Sequence, residues 1–191
     1  MKQGKSNQVR IIGGSHRSRT LSFVSLQNLR PTADRIRETL FNWLQNDVGG
    51  AQCLDLFAGS GALGVEALSR GAAHVQFVES ATAAAAMISE NLAALALKGG
   101  EVANCKAEHW LETCQQQSWC DILFLDPPFG DKDLDAITAA VDAAGILKPT
   151  AKIYIENDEA LNPDSIPAGW QQLKSKKAGR VFYYLYSVES A

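Results

Sequence analysis

Two short stretches of this chain hold residue types that can do chemistry. The first is Leu54-Asp55-Leu56-Phe57-Ala58-Gly59-Ser60-Gly61-Ala62-Leu63-Gly64. An apolar run enters it and a helical pattern leaves it, the place where an open α/β sheet binds ligands. Gly59 and Gly61 let the backbone turn tightly and let a ligand approach it closely. Gly59 to Gly64 also matches G-x-G-x-x-G, and Glu79, 18 residues beyond Gly61, ends the next apolar run where a ribose-hydroxyl partner is expected. Asp55 argues against a dinucleotide. A carboxylate just before the helix repels the pyrophosphate that such a site places on the helix N-terminus. It suits a cation instead. S-adenosylmethionine has an ammonium, a sulfonium and a ribose diol but no phosphate, so Asp55 matches its amino group and Glu79 its ribose. Phe57, Ala58, Gly59, Ser60 and Gly61 then form the loop around it. On these residues alone a dinucleotide site and a purely structural tight turn stay open.

The second stretch is Ile122-Leu123-Phe124-Leu125-Asp126-Pro127-Pro128-Phe129. Pro127 and Pro128 fix φ and remove two N–H donors, leaving the Asp126 carboxylate and nearby carbonyls as acceptors. Phe129 adds a flat face. Such a strand end suits a planar nitrogen compound with an amino group. An exocyclic base amine is a poor nucleophile because its lone pair is delocalised into the ring. Acceptors on its N–H groups localise that pair, and alignment with a sulfonium methyl supplies much of the remaining rate. An ordinary strand-to-loop exit is the structural alternative.

The elements that must position these stretches alternate in type. Gln8–Ile12 and Thr20–Val24 read as a β-hairpin across Gly13-Gly14. Thr32 is placed to cap a helix lined by Ile36, Leu40, Phe41, Trp43 and Leu44, which stops before Gly49-Gly50. Strands are expected at Gln52–Phe57, His74–Val78, Val102–Cys105, Asp121–Leu125 and Lys152–Glu156. Helices are expected at Ala62–Ser69, Ala81–Leu97, His109–Gln116 and Leu134–Ala143. Strands alternating with helices imply a mostly parallel sheet with helices on both faces. Trp170–Lys176 and Arg180–Val188 have no helix between them, so an antiparallel hairpin at one edge is expected.

With 191 residues and 46% hydrophobic content, the chain is long enough to bury a core without staples and too apolar for global disorder. No apolar run reaches the roughly 20 residues of a membrane span, and no apolar segment follows the basic N-terminus as a secretory signal requires. A cytoplasmic protein without membrane contact is expected. Cys53, Cys105, Cys114 and Cys120 form no C-x-x-C pair and no zinc spacing with the histidines, so no metal site is expected. The net charge is −3, but residues 1–37 hold eight bases against the single acid Asp34. A basic arm on an acidic body points to a phosphate-bearing partner.

Taken together these residues resemble the class I S-adenosylmethionine-dependent methyltransferases that modify base amines. The wider pattern is similar to the bacterial 16S ribosomal RNA guanine-N2 methyltransferases. It is carried by Arg10-Ile11-Ile12-Gly13-Gly14, the block from Leu29-Arg30-Pro31-Thr32 through Arg35-Ile36-Arg37-Glu38-Thr39-Leu40-Phe41-Asn42, the glycine loop, Asp126 to Phe129, and Trp170 with the closing hairpin. The resemblance implies a Rossmann-like seven-stranded sheet whose last strand is antiparallel. It divides the chain into a basic extension with a hairpin over 1–30 and a methyltransferase domain over 31–191. It also implies transfer of one methyl to a guanine 2-amino group of 16S rRNA within the small subunit or its assembly intermediate, by a monomer.

By that route Asp126, Pro127, Pro128 and Phe129 become the catalytic end. Arg10, Arg17, Arg19, Arg30, Thr32, Arg35, Arg37 and Asn42 become candidate substrate contacts. Family members often carry a second acid two residues after the ribose-binding one, and here that position is Ala81. After the third strand of the repeat they often carry Asn-Ala or Asp-Ala, and here the stretch is Cys105-Lys106-Ala107-Glu108, which leaves the Ala107 backbone as the adenine contact. His16 reads as RNA-facing or solvated. Because the D-P-P-F end is shared with adenine-N6 and glutamine-N5 enzymes, those targets stay open. A nicotinamide-dependent oxidoreductase and a non-enzymatic ribosome-assembly factor are the alternatives from other classes.

Overall fold

The computed structural model describes residues 7–24, 32–128 and 134–189. Its strands are β1 (Asn7–Arg10), β2 (Thr20–Phe23), β3 (Gln52–Asp55), β4 (His74–Val78), β5 (Gly100–Ala103), β6 (Cys120–Leu125), β7 (Leu147–Asn157), β8 (Trp170–Ala178) and β9 (Val181–Val188). Its helices are α1 (Asp34–Trp43), α2 (Ala62–Ser69), α3 (Thr82–Leu95), α4 (Ala107–Thr113) and α5 (Leu134–Ala144). β1 and β2 pair as an antiparallel hairpin. The other seven strands form one sheet in the order β5-β4-β3-β6-β7-β9-β8. β5 to β7 are parallel, and β9 runs antiparallel between β7 and β8. The connection reverses direction between β3 and β6, so the crevice outside their carboxyl ends is the ligand position of such a sheet. The glycine loop follows β3 and Asp126 follows β6.

Strict alternation along the strands sends side chains to two cores. Cys53, Val75, Phe77, Ile122, Phe124, Tyr154, Tyr183 and Leu185 pack on the face covered by α1, α2, α3 and the β1–β2 hairpin. Leu54, Val78, Leu123, Leu125, Ile153, Ile155, Tyr184 and Tyr186 pack on the face of α4 and α5. β8 is the edge strand, and Gln171 to Lys177 are exposed throughout. A register shift between Gln172 and Lys174 and three lysines blunt it against pairing with another chain.

Two local expectations need correction. The helix expected over Ala81–Leu97 does not run on toward Gly99-Gly100, because α3 stops at Leu95 and its cap, Ala96, is left-handed at φ 50°. The glycines instead open β5, where a Cβ on Gly100 would lie 2.8 Å from Leu92. Close approach of strand and helix, not chain reversal, requires that glycine. Nor does Thr32 cap α1. The capping position is Ala33, without a side-chain bond, and the Thr32 hydroxyl is engaged elsewhere.

The hairpin is fixed to the body by polar contacts that its sequence does not announce. Glu66 of α2, fully buried, accepts the Ile12 and Gly13 N–H groups at 2.8 Å each and the Arg70 Nε–H at 2.7 Å. Arg37 of α1 is also fully buried. It donates to the Arg10 carbonyl at 2.8 Å and to Asp34 at 2.6 Å, and its Nη1 lies 3.6 Å from Glu66. The expectation of Arg37 as an RNA contact is therefore corrected. With no exposed surface it cannot meet a phosphate, and it locks the hairpin to α1 and α2. His16 is half-buried at the hairpin turn, and its ring Nε2 pairs with the Leu95 carbonyl at 3.0 Å at the end of α3. Without Arg37, Glu66 would keep Arg70 and its two backbone donors, but it would lose the more buried of its two cations, and the Arg10 carbonyl and Asp34 would lose their donor. Arg37→Met is expected to destabilise the fold by about 3 kcal/mol, read as a lowered urea midpoint, with protection of the hairpin amides from hydrogen exchange lost first.

Candidate active site

The same alternation that sorts the two cores also sorts the acids. Counting on from Phe77, Cys53, Phe124 and Tyr154, the positions on the α1–α3 side at the carboxyl ends of β4, β3, β6 and β7 are Glu79, Asp55, Asp126 and Glu156. These four strands are consecutive in the sheet. Four carboxyl groups thus line one rim, and among the described residues no ion pair involves any of them.

Asp55 is buried and accepts the Gly64 N–H of the first turn of α2 at 3.0 Å. Loss of water pushes its carboxyl up to about 7, helped by the nearby Glu79 and opposed by the Gly64 bond. A carboxyl group therefore already occupies the helix N-terminus that a pyrophosphate would need. Gly59 and Gly61 both have positive φ, 52° and 76°. Gly64 is tied to packing, since a Cβ there would lie 2.2 Å from Phe77. The two Glu79 oxygens accept N–H groups of Gly59 and Ala81, each at 2.7 Å, so Glu79 joins the glycine loop to the end of β4. Ala81, where family members often have a second acid, contributes its backbone here. Asn104, unremarked in the sequence, donates to the carbonyls of Glu79 and Ser80 and accepts from Thr82. Ala58, Ser60 and Ala107 are buried, and Phe57 is half-buried against the α4–α5 core. Ala107 opens α4 beside this rim, with Lys106 exposed at its cap.

Asp126 accepts the Thr32 hydroxyl at 3.0 Å, so the segment entering α1 closes over the end of β6. Burial pushes the Asp126 carboxyl well above the usual carboxylate range, Glu156 adds to the shift, Thr32 opposes it and Asp55 adds further. Glu156 is buried and accepts the Tyr154 hydroxyl at 2.7 Å. Burial raises it too, against the hydrogen bond from Tyr154 and the nearby Thr32 hydroxyl. Pro127 is buried and Pro128 exposed; Phe129 and Arg30 lie outside the described residues. Glu156 and Tyr154 were missed because no motif contains them. The available signal was that the β7 run, like its neighbours, ends in an acid.

The candidate substrate residues are dispersed. Exposed Arg35 is in the first turn of α1, next to Thr32, and Arg10 reaches Asp34 in that turn at 3.7 Å. Arg17 and Arg19 are exposed at the hairpin turn, which docks on Ser69 and Leu95, the last residues of α2 and α3. That is the opposite edge of the sheet from Asp126, a helix length of about 12–20 Å away. Asn42 is exposed in the last turn of α1, about 15 Å along the axis from Thr32. The structure does not bring these three to the rim.

A family described as conserved hypothetical protein 95 matches residues 9–187. The chain is 43% identical over 185 residues to the ribosomal RNA small subunit methyltransferase D of Escherichia coli, covering 97% of this chain and 92% of that protein. The solved structure of yhhF from Escherichia coli superposes with a TM-score of 0.86 at 42% identity, covering 97% of this chain and all of that one. SMU.776, solved complexed with SAH, has the same fold at a TM-score of 0.67 and 15% identity, over 98% of this chain and 57% of that one.

The Asp55 carboxyl gives a pH signature. It is ionised only above about pH 7, so affinity for a cationic ligand should be highest above that point and fall by up to about tenfold per pH unit below it. Calorimetry with S-adenosylhomocysteine measures this, and Asp55→Asn should weaken binding and flatten the profile. Stability moves the other way. The raised folded value means the folded state holds the extra proton, so stability drops as pH rises from the ordinary value of 3.8 to about 7. Asp55→Asn should therefore raise the melting temperature of the ligand-free protein above pH 7.

Proposed function

Because the chain belongs to the conserved hypothetical protein 95 family, and to that of the ribosomal RNA small subunit methyltransferase D proteins, we propose that it transfers one methyl group from S-adenosylmethionine to the 2-amino group of a guanine in small-subunit rRNA. The observation that carries this reading is the acidic rim around the glycine loop. Four carboxyl groups without a basic side-chain partner among the described residues, one of them on the helix N-terminus, fit a cation and repel a phosphate. When bound, S-adenosylmethionine supplies a methyl on a sulfonium that leaves as a neutral thioether.

The chain's own residues do the rest. Asp55 answers the ammonium of the methionine end. Glu79, oriented by its two backbone donors, meets the ribose hydroxyls. Phe57, Ala58, Gly59, Ser60 and Gly61 shape the loop between them, and Ala107 lies where the adenine edge would rest. Asp126 takes an amino hydrogen of the base and helps free the nitrogen lone pair. Pro127 and Pro128 keep other donors away from that amine, and Phe129 stacks on the ring. A guanine inside a stacked helix cannot reach such a rim, so the nucleotide enters unstacked. Arg10 and Arg35 grip phosphates near the chemistry, and the family resemblance adds Arg30 as a further phosphate contact. Arg17 and Arg19 meet backbone farther along, which favours a folded RNA within the subunit or its assembly intermediate over a short strand.

Asp126→Ala should abolish methyl transfer to small subunits from cells lacking the gene, with S-adenosylhomocysteine affinity changed less than about threefold. Full activity in that variant overturns the role of Asp126. Nucleoside mass mapping of rRNA from the same cells should show the loss of one 2-methylguanosine. An unchanged map would remove the guanine assignment.

A further inference from the structure

We propose that Glu156 is a positioning residue that acts through Asp126, the two carboxyl groups sharing one proton in the free protein, giving it up when the cationic donor is bound, and taking in its place the proton that the base amine gives up. The inference rests on the reading above that Asp126 faces the amine, and it adds a residue that no motif marks.

The geometry carries it. Leu125 of β6 pairs with Ile155 of β7. The next residues on each strand, Asp126 and Glu156, therefore lie side by side on strands about 4.8 Å apart. Both point to the α1–α3 face, as their partners show: Asp126 takes the Thr32 hydroxyl from the entry to α1, and Glu156 takes the hydroxyl of Tyr154, itself fully buried in that core. Each carboxyl group thus has one neutral hydroxyl donor, and among the described residues neither has a cation. Two like charges this close and out of water do not both persist. Among the described residues the titratable groups around the pair are Asp55 at the end of β3, Tyr154 on β7 and Tyr183 opposite Glu156 on β9, all acidic in type. None supplies positive charge. Keeping one proton within the pair is the way this site meets the conflict.

A shared proton changes the chemistry open to the amine. As the nitrogen lone pair forms the new N–C bond, the C–S bond of the donor breaks and its electron pair stays on sulfur. The nitrogen then carries the positive charge until its proton leaves for the carboxyl pair. With the cationic donor bound both carboxyl groups are ionised, and the pair passes from two negative charges to one as the sulfonium charge is discharged in the same event. Asp126 alone, in water, would be too weak a base to hold that proton near neutral pH. Glu156, by its negative charge, makes Asp126 a better acceptor, while the Tyr154 hydroxyl restrains Glu156 from taking the proton permanently.

Two variants separate this from a structural role because they move the same readout in opposite directions. Glu156→Gln keeps an acceptor for Tyr154 but removes the charge. Tyr154→Phe keeps the ring and removes the hydroxyl. Single-turnover rates at saturating S-adenosylmethionine, on small subunits from cells lacking the gene, are followed between about pH 5 and 9. With Glu156→Gln the acidic limb should move to lower pH and the rate at neutral pH and saturating donor should fall about tenfold, with KM for the subunit nearly unchanged. With Tyr154→Phe the limb should move to higher pH.

The free protein gives a second readout. Isotope-labelled carboxyl carbons should show one proton retained near neutral pH beyond that on Asp55, lost in both Glu156→Gln and Asp126→Asn. Melting temperature and S-adenosylhomocysteine binding show that each variant is folded. A limb that stays in place in both variants, or the absence of a retained proton attributable to the pair, overturns the inference even if activity falls. Should Glu156→Gln be folded but too slow to profile, the Tyr154→Phe limb and the carboxyl titration decide. If Asp126→Ala is fully active, the parent reading fails instead, and the two failures are distinct.

Discussion

Like charges on adjacent strand ends are the constraint from which the rest of this molecule follows. Glu79, Asp55, Asp126 and Glu156 close four consecutive strands on one face, and the fold answers each differently. Glu79 takes two backbone N–H groups, Asp55 takes one from α2 and is pushed up to about 7, Asp126 takes a threonine hydroxyl, and Glu156 a tyrosine hydroxyl. All four answers are neutral dipoles. The rim is consequently a standing cost to stability that a cationic ligand relieves, the usual tension between a functional site and a fold at its stability optimum. Two full cores, one on each face, offset that cost.

Glu66 is the opposite case and shows what the rim forgoes. It is just as buried, yet it has two backbone donors, Arg70 at 2.7 Å and Arg37 at 3.6 Å. It lies in the helix that the glycine loop opens, so one eight-residue helix meets the cofactor loop at one end and the basic hairpin at the other. Donor binding and the placement of Arg17 and Arg19 are referred to the same rigid element. Arg37, by sequence just another member of the basic arm, is the bolt between them.

What could be read from the chain beforehand follows from range. Strand and helix periods are local, and nearly every element was legible within a few residues, including the closing hairpin. The glycine loop and the D-P-P end were legible because each packs its chemistry into a few consecutive positions. Tertiary facts were not. A basic residue reads the same whether it meets solvent or Glu66, so the burial of Arg37 was hidden. Which edge the hairpin turn would reach depends on Ser69 and Leu95, more than fifty residues away, so the position of Arg17 and Arg19 was hidden too. Glu156 has meaning only through the register that sets Leu125 beside Ile155.

The order of the sheet also bears on how the protein is born. β9 is the last strand in the chain yet sits inside the sheet, between β7 and β8. During synthesis β7 emerges with one side bare, and it stays so until β9 has followed β8 out of the exit tunnel, since β9 is its partner. Tyr183, the neighbour of Glu156, arrives with that segment. A nascent chain therefore has its donor loop long before its reaction pocket is finished. Chains cut short before β9 would be sticky and inert, not merely slower.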